Sequence, residues 1–142
     1  MEAILQQKLH DYIVSHNPEL LLKLQENFSL TTYISDKVAV TMAMVKSLIQ
    51  EGRTPYDIEE LALQEMTAEL RPSKFLYLKN ILEEEFPDEY NKFSEAGVLT
   101  YELVNLIDAC QEIFQNAEFS EANEDNRFLR YAVIAQVHDY LL

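Results

Sequence analysis

Apolar residues recur every three or four positions along most of the chain, a spacing that places them on one face of an α-helix. Residues 98–115 show this most clearly, with the apolar series Leu99, Leu103, Leu106, Cys110 and Ile113. Prolines and glycines separate the stretches, and Asn17-Pro18 and Thr54-Pro55 each pair a capping residue with a proline suited to the first helical position. The pattern predicts an all-α, single-domain multihelical bundle of about seven helices, two of them short.

Residues 33–51 also show an alternation that resembles a half-buried strand. The alternating larger side chains are Val38, Val40, Met42 and Met44. Alanine and methionine nevertheless favour a helix, and Gly52 follows where a left-handed residue would end it. We therefore predict a helix here and no strand anywhere in the chain.

The chain contains no period of 20–50 residues, no low-complexity tract and no Gly/Ser linker, so we predict one domain over residues 1–142 and no repeat array. The last predicted helix, from residue 125 or 126 to the end, is apolar nearly all round. Between Tyr131 and Leu142 only His138 and Asp139 could be charged. This pattern predicts a central helix or one buried against another subunit, and the second alternative implies a homodimer through the C-terminal helix.

The composition excludes several classes of site. Gly52 and Gly97 are the only glycines, too few for a dinucleotide fingerprint or a phosphate-binding loop. A single cysteine, Cys110, excludes an internal disulfide. No acidic residue is followed by histidine at the third position, as a di-metal helix bundle requires. We therefore expect no metal, no cofactor and no catalytic residue.

The formal net charge is −14, which disfavours direct contact with nucleic acid or an anionic membrane. Between residues 82 and 125 there are thirteen acidic residues against Lys92 alone. The acidic run is typical of a solvated face, and the alternatives are a docking surface for a basic protein partner and a nucleic-acid mimic. The predicted partner-binding residues are Glu83, Glu84, Glu85, Asp88 and Glu89.

The leading hypothesis is therefore a non-enzymatic protein–protein interaction or regulatory module. The rival hypothesis is an enzyme whose site the sequence does not reveal. His138 and Asp139 are adjacent, so on a helix they point about 100° apart and do not face each other. Cys110 lies on an apolar stripe, where a thiol stays protonated and inert. A pocket that brings His138 beside a buried acid and a tyrosine would favour the enzyme.

Four segments resemble a bacterial family of small acidic all-helical proteins of unknown function that are associated with mobile elements. The segments are His16-Asn17-Pro18-Glu19-Leu20, Glu60-Leu61-Ala62, Ser73-Lys74-Phe75 and Ile81-Leu82-Glu83-Glu84-Glu85-Phe86. The resemblance implies a helical fold and a bacterial setting, and it supplies no catalytic residue. Because the sequence shows neither a signal peptide nor an apolar run of 18 residues, we expect a cytoplasmic protein.

Overall fold

Helices make up all the regular structure of the chain. The computed structural model describes all 142 residues and contains nine α-helices, one 3₁₀-helix and no strand. The first half comprises α1 (Glu2–His16), α2 (Pro18–Glu26), α3 (Leu30–Gln50), α4 (Pro55–Met66) and the 3₁₀-helix Ala68–Leu70. The second half comprises α5 (Lys74–Glu85), α6 (Pro87–Glu95), α7 (Leu99–Ala109), α8 (Gln111–Ala117) and α9 (Arg127–Leu141). The all-α prediction is confirmed, and none of these helices is long and apolar enough to cross a membrane.

The number of helices exceeds the predicted seven mainly because residues 98–115 form two helices. α7 and α8 meet at Cys110, where φ of −98° and ψ of 4° depart from helical values. The buried stripe continues across this break through Leu106, Cys110 and Phe114, so the hydrophobic spacing alone does not reveal it. The ambiguous residues 33–51 lie within α3 except at their last position, in agreement with the helical interpretation.

Contacts between Cα atoms divide the chain into two compact units, the N-terminal unit (Met1–Arg71) and the C-terminal unit (Pro72–Leu142). In the N-terminal unit, α1 and α3 pack together, and each of them contacts α2 and α4. Its core contains Leu5, Leu9, Ile13, Ile34, Val38, Val45, Leu48, Ile58, Ala62 and Met66. This division does not test the one-domain assignment, which stays a prediction.

In the C-terminal unit, α5 and α7 pack together, and each of them contacts α6 and α9. Helix α8 contacts α7 and α9. The core of this unit contains Phe75, Leu78, Ile81, Leu82, Leu103, Leu106, Ile107, Cys110, Phe114, Leu129, Val133 and Val137. Three aromatic rings meet at its edge, where Phe114 lies 5.7 Å from Tyr77 and 4.8 Å from Phe119 between ring centroids.

The two units have the same internal architecture. Helices α1, α2, α3 and α4 correspond in order and in contacts to α5, α6, the α7–α8 pair and α9. The residue before α2, Asn17, has φ −137° and ψ 56°, and the residue before α6, Phe86, has φ −134° and ψ 56°. Pro18 and Pro87 begin the two nine-residue helices that follow. We conclude that the chain contains two copies of one four-helix motif.

Eight buried positions of the N-terminal unit also coincide with buried positions of the C-terminal unit. A shift of 69 residues relates Leu9 to Leu78, Ile13 to Leu82, Ile34 to Leu103, Val38 to Ile107 and Val45 to Phe114. A shift of 71 residues relates Ile58 to Leu129, Ala62 to Val133 and Met66 to Val137. This correspondence does not contradict the expectation that the chain has no period of 20–50 residues. The period lies beyond the 20–50-residue range, and it appears in burial and turn geometry rather than in residue identity.

The turn after the second helix of each copy differs at one position. Gly97 has φ +75°, and the corresponding Phe28 has φ +55°. Both turns make the same hydrogen bonds: Ser29 N–H donates to the Leu24 carbonyl at 2.9 Å and Val98 N–H to the Phe93 carbonyl at 3.0 Å. A side chain with a Cβ is strained in this left-handed region. The Phe28 ring is 96% exposed, so its packing does not offset that strain.

Replacing Phe28 with glycine is expected to raise the free energy of unfolding by about 1 kcal/mol, because the backbone strain is relieved and almost no buried contact is lost. Thermal and urea unfolding of the full chain measure the change. The control is Gly97→Ala, which introduces a Cβ at a left-handed residue and should have the opposite effect. A Phe28→Gly variant less stable than the wild type would contradict this interpretation of the turn.

Candidate docking groove on the last helix

The position of α9 is set by its N-terminal cap and by one apolar face. The Asn126 side-chain oxygen accepts hydrogen bonds from the Phe128 and Leu129 backbone N–H groups at 2.9 and 3.1 Å. Such a cap satisfies donors that have no partner within the helix. Leu129, Val133 and Val137 are four residues apart and are buried in the core of the C-terminal unit. This stripe is the face of α9 that the core covers completely.

A second stripe on α9 is accessible. Tyr131, Ile134, Ala135 and His138 have the i, i+3, i+4, i+7 spacing of a helix-packing face, and at 100° per residue they lie nearly opposite the buried stripe. The Tyr131 residue is 60% exposed, and Ala135 is also exposed. The expectation of a central helix is wrong, because α9 is covered on one side only. Burial against another subunit stays a prediction.

This second stripe forms one wall of a groove. Together with the end of α5 and the residue that follows it, α9 lines an open surface groove of about 540 Å³, which we call the α9 groove. Its lining residues are Glu85, Phe86, Tyr131, Ile134, Ala135, His138 and Asp139. The floor is therefore aromatic and aliphatic, and carboxylates lie at its border. This combination of an apolar centre and a polar rim is typical of protein–protein interfaces.

An arginine on α9 binds the acidic end of α5. The Arg130 guanidinium donates to a Glu84 carboxylate oxygen at 2.8 Å and to a Glu85 carboxylate oxygen at 3.4 Å. It also donates to the Asn80 side-chain oxygen at 3.4 Å. Carboxylates are unfavourable at the carboxyl end of a helix, where the helix dipole is negative. The Arg130 side chain offsets this repulsion and fixes α9 beside the end of α5.

The structure brings only one of the five predicted partner-binding residues, Glu85, into the α9 groove. Glu83 and Glu84 are exposed in the last turn of α5. Asp88 and Glu89 lie in the first turn of α6, where negative charge is favourable to the helix dipole. The acidic region and the last helix, which the sequence suggested as separate features, thus meet at Glu85.

The groove contains part of the arrangement that would favour an enzyme. It brings His138 together with Tyr131 and Glu85. The side chains of His138 and Asp139 are 62% and 73% exposed, and His138 Nδ1 lies 4.0 Å from Asp139 Oδ1, beyond hydrogen-bond distance. The chain also has no group of three or more His, Cys, Asp or Glu side chains placed to hold a metal ion. The geometry therefore does not provide the buried acid that the enzyme hypothesis requires.

The sequence pattern does not single out Ile134 or Ala135, and Phe86 enters it as the last residue of a segment that resembles the bacterial family. Phe86 lies between α5 and α6, where its non-helical backbone, with φ −134° and ψ 56°, turns the chain. The signal that could have revealed the groove is the presence of two packing stripes on one helix. One stripe would meet the core and the other would stay open. Sequence alone does not show which stripe is covered.

Cys110 lies in the core of the C-terminal unit, as the sequence predicts. Burial raises the pKa of its thiol from an ordinary value of 9.0 to about 11. Because the thiolate is the reactive form, the folded protein keeps this cysteine unreactive at neutral pH. Cys110 therefore contributes to packing and is not a candidate nucleophile.

The raised pKa of Cys110 predicts a loss of stability in alkaline solution. The unfolded thiol releases its proton near pH 9.0, whereas the folded thiol retains it to about pH 11. The contribution of the Cys110 thiol to the free energy of unfolding is therefore complete below pH 9.0, and it is lost as pH rises to about 11. Burial also raises the pKa of Tyr77 from 10.0, which acts in the same direction. Urea unfolding between pH 8 and 11 measures the decline, and a stability that rises with pH would contradict it.

Comparison with protein-family models, curated proteins and solved structures finds no match for this chain. The resemblance to a bacterial family of small acidic helical proteins therefore stays a prediction. The indication of function comes from the α9 groove itself, whose residues form an accessible apolar surface.

Proposed function

We propose that this chain is a non-enzymatic protein–protein interaction module that binds a partner protein through the α9 groove. The observation that supports the proposal most directly is the second packing stripe of α9, in which Tyr131, Ala135 and His138 are exposed and Ile134 is half-buried against the core. A cytoplasmic location and the bacterial setting implied by the family resemblance belong to the same proposal.

The repeat strengthens this interpretation, because the N-terminal unit differs at the corresponding positions. A shift of 71 residues places Glu60, Leu63, Gln64 and Thr67 where the C-terminal unit has its second stripe. Thr67 is buried, and its hydroxyl donates to the Leu63 carbonyl at 2.7 Å. An apolar second stripe thus occurs only in the C-terminal unit. The shared four-helix fold does not require it.

The residue types in the groove also support a binding role. Aromatic residues are enriched at the centres of protein interfaces, and the groove contains Phe86 and Tyr131. Tyr131 has an apolar ring and a hydroxyl that can stay in contact with water, a combination common among residues that dominate binding energy. Exposed apolar surface of this kind is unfavourable in water and is covered when a partner binds.

Affinity capture with the full-length tagged chain tests the proposal. The groove variant is Ala135→Arg, which places a long charged side chain across the floor. The control is Ala43→Arg, the same substitution at an exposed position of α3 in the N-terminal unit. We expect the wild type and Ala43→Arg to retain the same protein from the native lysate, and Ala135→Arg to retain at least about tenfold less.

Thermal unfolding must show that both variants remain as stable as the wild type, which is expected because both alanines are exposed. Equal retention of partners by Ala135→Arg and the wild type would contradict a role for the groove. Failure of the wild type to retain any protein would contradict the interaction module. Retention of a second copy of the chain alone would replace the partner protein with a homodimer.

A further inference from the structure

We infer that the occupant of the α9 groove is an amphipathic helix of the partner, with an apolar stripe flanked by lysine or arginine. This inference rests on the proposed function, and it identifies the chemistry of the partner. Two observations lead to it, the helical spacing of the groove wall and the sign of the charges at the groove border.

The wall of the groove has the geometry of a helix-packing surface. Helices pack by inserting side chains three and four residues apart into the spaces between those of a neighbour. Helix α9 already does this with Leu129, Val133 and Val137 inside its own unit. Its second stripe has the corresponding spacing, and Phe86 lines the groove beside it. A helix laid along α9 would therefore contact the stripe over about two turns, as in other helix-in-groove complexes.

The border of the groove is negative. The carboxylates of Glu85 and Asp139 lie among the lining residues, and no lysine or arginine does. The nearby Arg130 is bound to both Glu84 and Glu85, and one cation facing two carboxylates leaves this group net negative. Asp88 and Glu89 follow directly in the first turn of α6. Charge complementarity therefore favours an occupant with positive residues on the flanks of its apolar stripe.

The same charges disfavour a second copy of this chain as the occupant. Each copy has a net charge of −14, so self-association would bring two strongly negative molecules together.

The N-terminal unit also shows that this part of the motif can contact a following segment. There the Asn17 amide lies 3.5 Å from the carbonyl of Leu70, in the 3₁₀-helix that follows α4. In the C-terminal unit Phe86 corresponds to Asn17, and Leu141 corresponds to Leu70. The Phe86 side chain has no hydrogen-bond donor, so this contact has no counterpart there.

Three synthetic peptides test the inference against the full-length, isotope-labelled chain. The first has leucines at i, i+3, i+4 and i+7 over about four turns, flanked by lysines. The second has the same leucines flanked by glutamates. The third has the composition of the first in an order that breaks the stripe. NMR chemical shifts report where each peptide binds, and their dependence on peptide concentration gives the affinity.

We expect the first peptide to shift the backbone signals of Ile134, Ala135 and His138 with saturable binding. Its affinity should fall several-fold between about 50 and 300 mM salt, because screening weakens the charge contacts. The glutamate peptide and the broken-stripe peptide should bind at least about tenfold more weakly. Ala135→Arg should lose binding of the first peptide by a similar factor, and Ala43→Arg should retain it.

Equal binding of the lysine and glutamate peptides would overturn the charge part of the inference. Equal binding of the ordered and broken-stripe peptides, or shifts outside the groove, would overturn the helical part. If no peptide binds the groove but partner capture still depends on Ala135, the helix inference fails and the proposed function stands. If capture is also independent of Ala135, both fail.

Discussion

Replacement of Phe114 with alanine is expected to lower the free energy of unfolding by about 3–5 kcal/mol, the largest effect among the single substitutions considered. The ring is only 1% exposed and belongs to the core of the C-terminal unit. Its removal eliminates the contacts with Tyr77 and Phe119 and leaves a cavity that the surrounding helices can close only in part.

Phe128→Ala is the matched control for Phe114→Ala. Phe128 belongs to the same unit but is 68% exposed, so its removal should change stability by less than about 0.5 kcal/mol. Urea unfolding followed by circular dichroism measures both variants. Similar effects of the two substitutions would contradict the assignment of Phe114 to the core.

The second large effect concerns a pair of equivalent residues. Leu9 and Leu78 are both fully buried and occupy the same position in the two copies of the four-helix motif. Replacing either with alanine is expected to lower the free energy of unfolding by about 2–5 kcal/mol. Because both positions are fully buried, we expect both losses to lie well above the loss for an exposed leucine.

Leu22→Ala, at an exposed position of α2, provides the baseline for the two buried leucines. Unfolding of all three variants is measured under the same conditions. A large loss for one buried leucine together with a loss near the Leu22→Ala value for the other would show that the two positions are not equivalent, contrary to the repeat.

Local patterning predicts the helices well because their signals lie within a few residues. Thr54 caps α4 by accepting a hydrogen bond from the Asp57 backbone N–H, and Gly52 adopts the left-handed conformation expected after α3. Each feature depends on the conformation of neighbouring residues. The break between α7 and α8 at Cys110 gives no such local signal. Buried residues continue at helical spacing before and after it, so the sequence pattern does not show the change of direction.

The repeat was not predictable by the same means. Equivalent core positions contain different residues, such as Val45 in one copy and Phe114 in the other, so the copies share burial rather than identity. A core accepts such changes where the total volume is preserved. The turn residues Phe28 and Gly97 also share a conformation without sharing identity, because both have a left-handed backbone although their side chains differ greatly.

The groove was only partly predictable. The sequence indicated both an acidic region and an unusually apolar last helix, but their meeting at Glu85 depends on how α9 packs against α5. The pairing of Arg130 with Glu84 and Glu85, at sequence separations of 46 and 45 residues, likewise depends on tertiary structure. Only the packed structure shows that one stripe of α9 is buried and the other is accessible.

Site-specific photo-crosslinking tests the central claim most directly. A photoreactive amino acid replaces Ala135 in the groove or, as the control, Ala43 on α3, and each full-length chain is irradiated in the cells that produce it. We predict an adduct with a different protein from position 135 and none from position 43. Equal adducts from both positions, or none from position 135, would contradict the groove as a docking surface. An adduct with a second copy alone would contradict the basic helical partner.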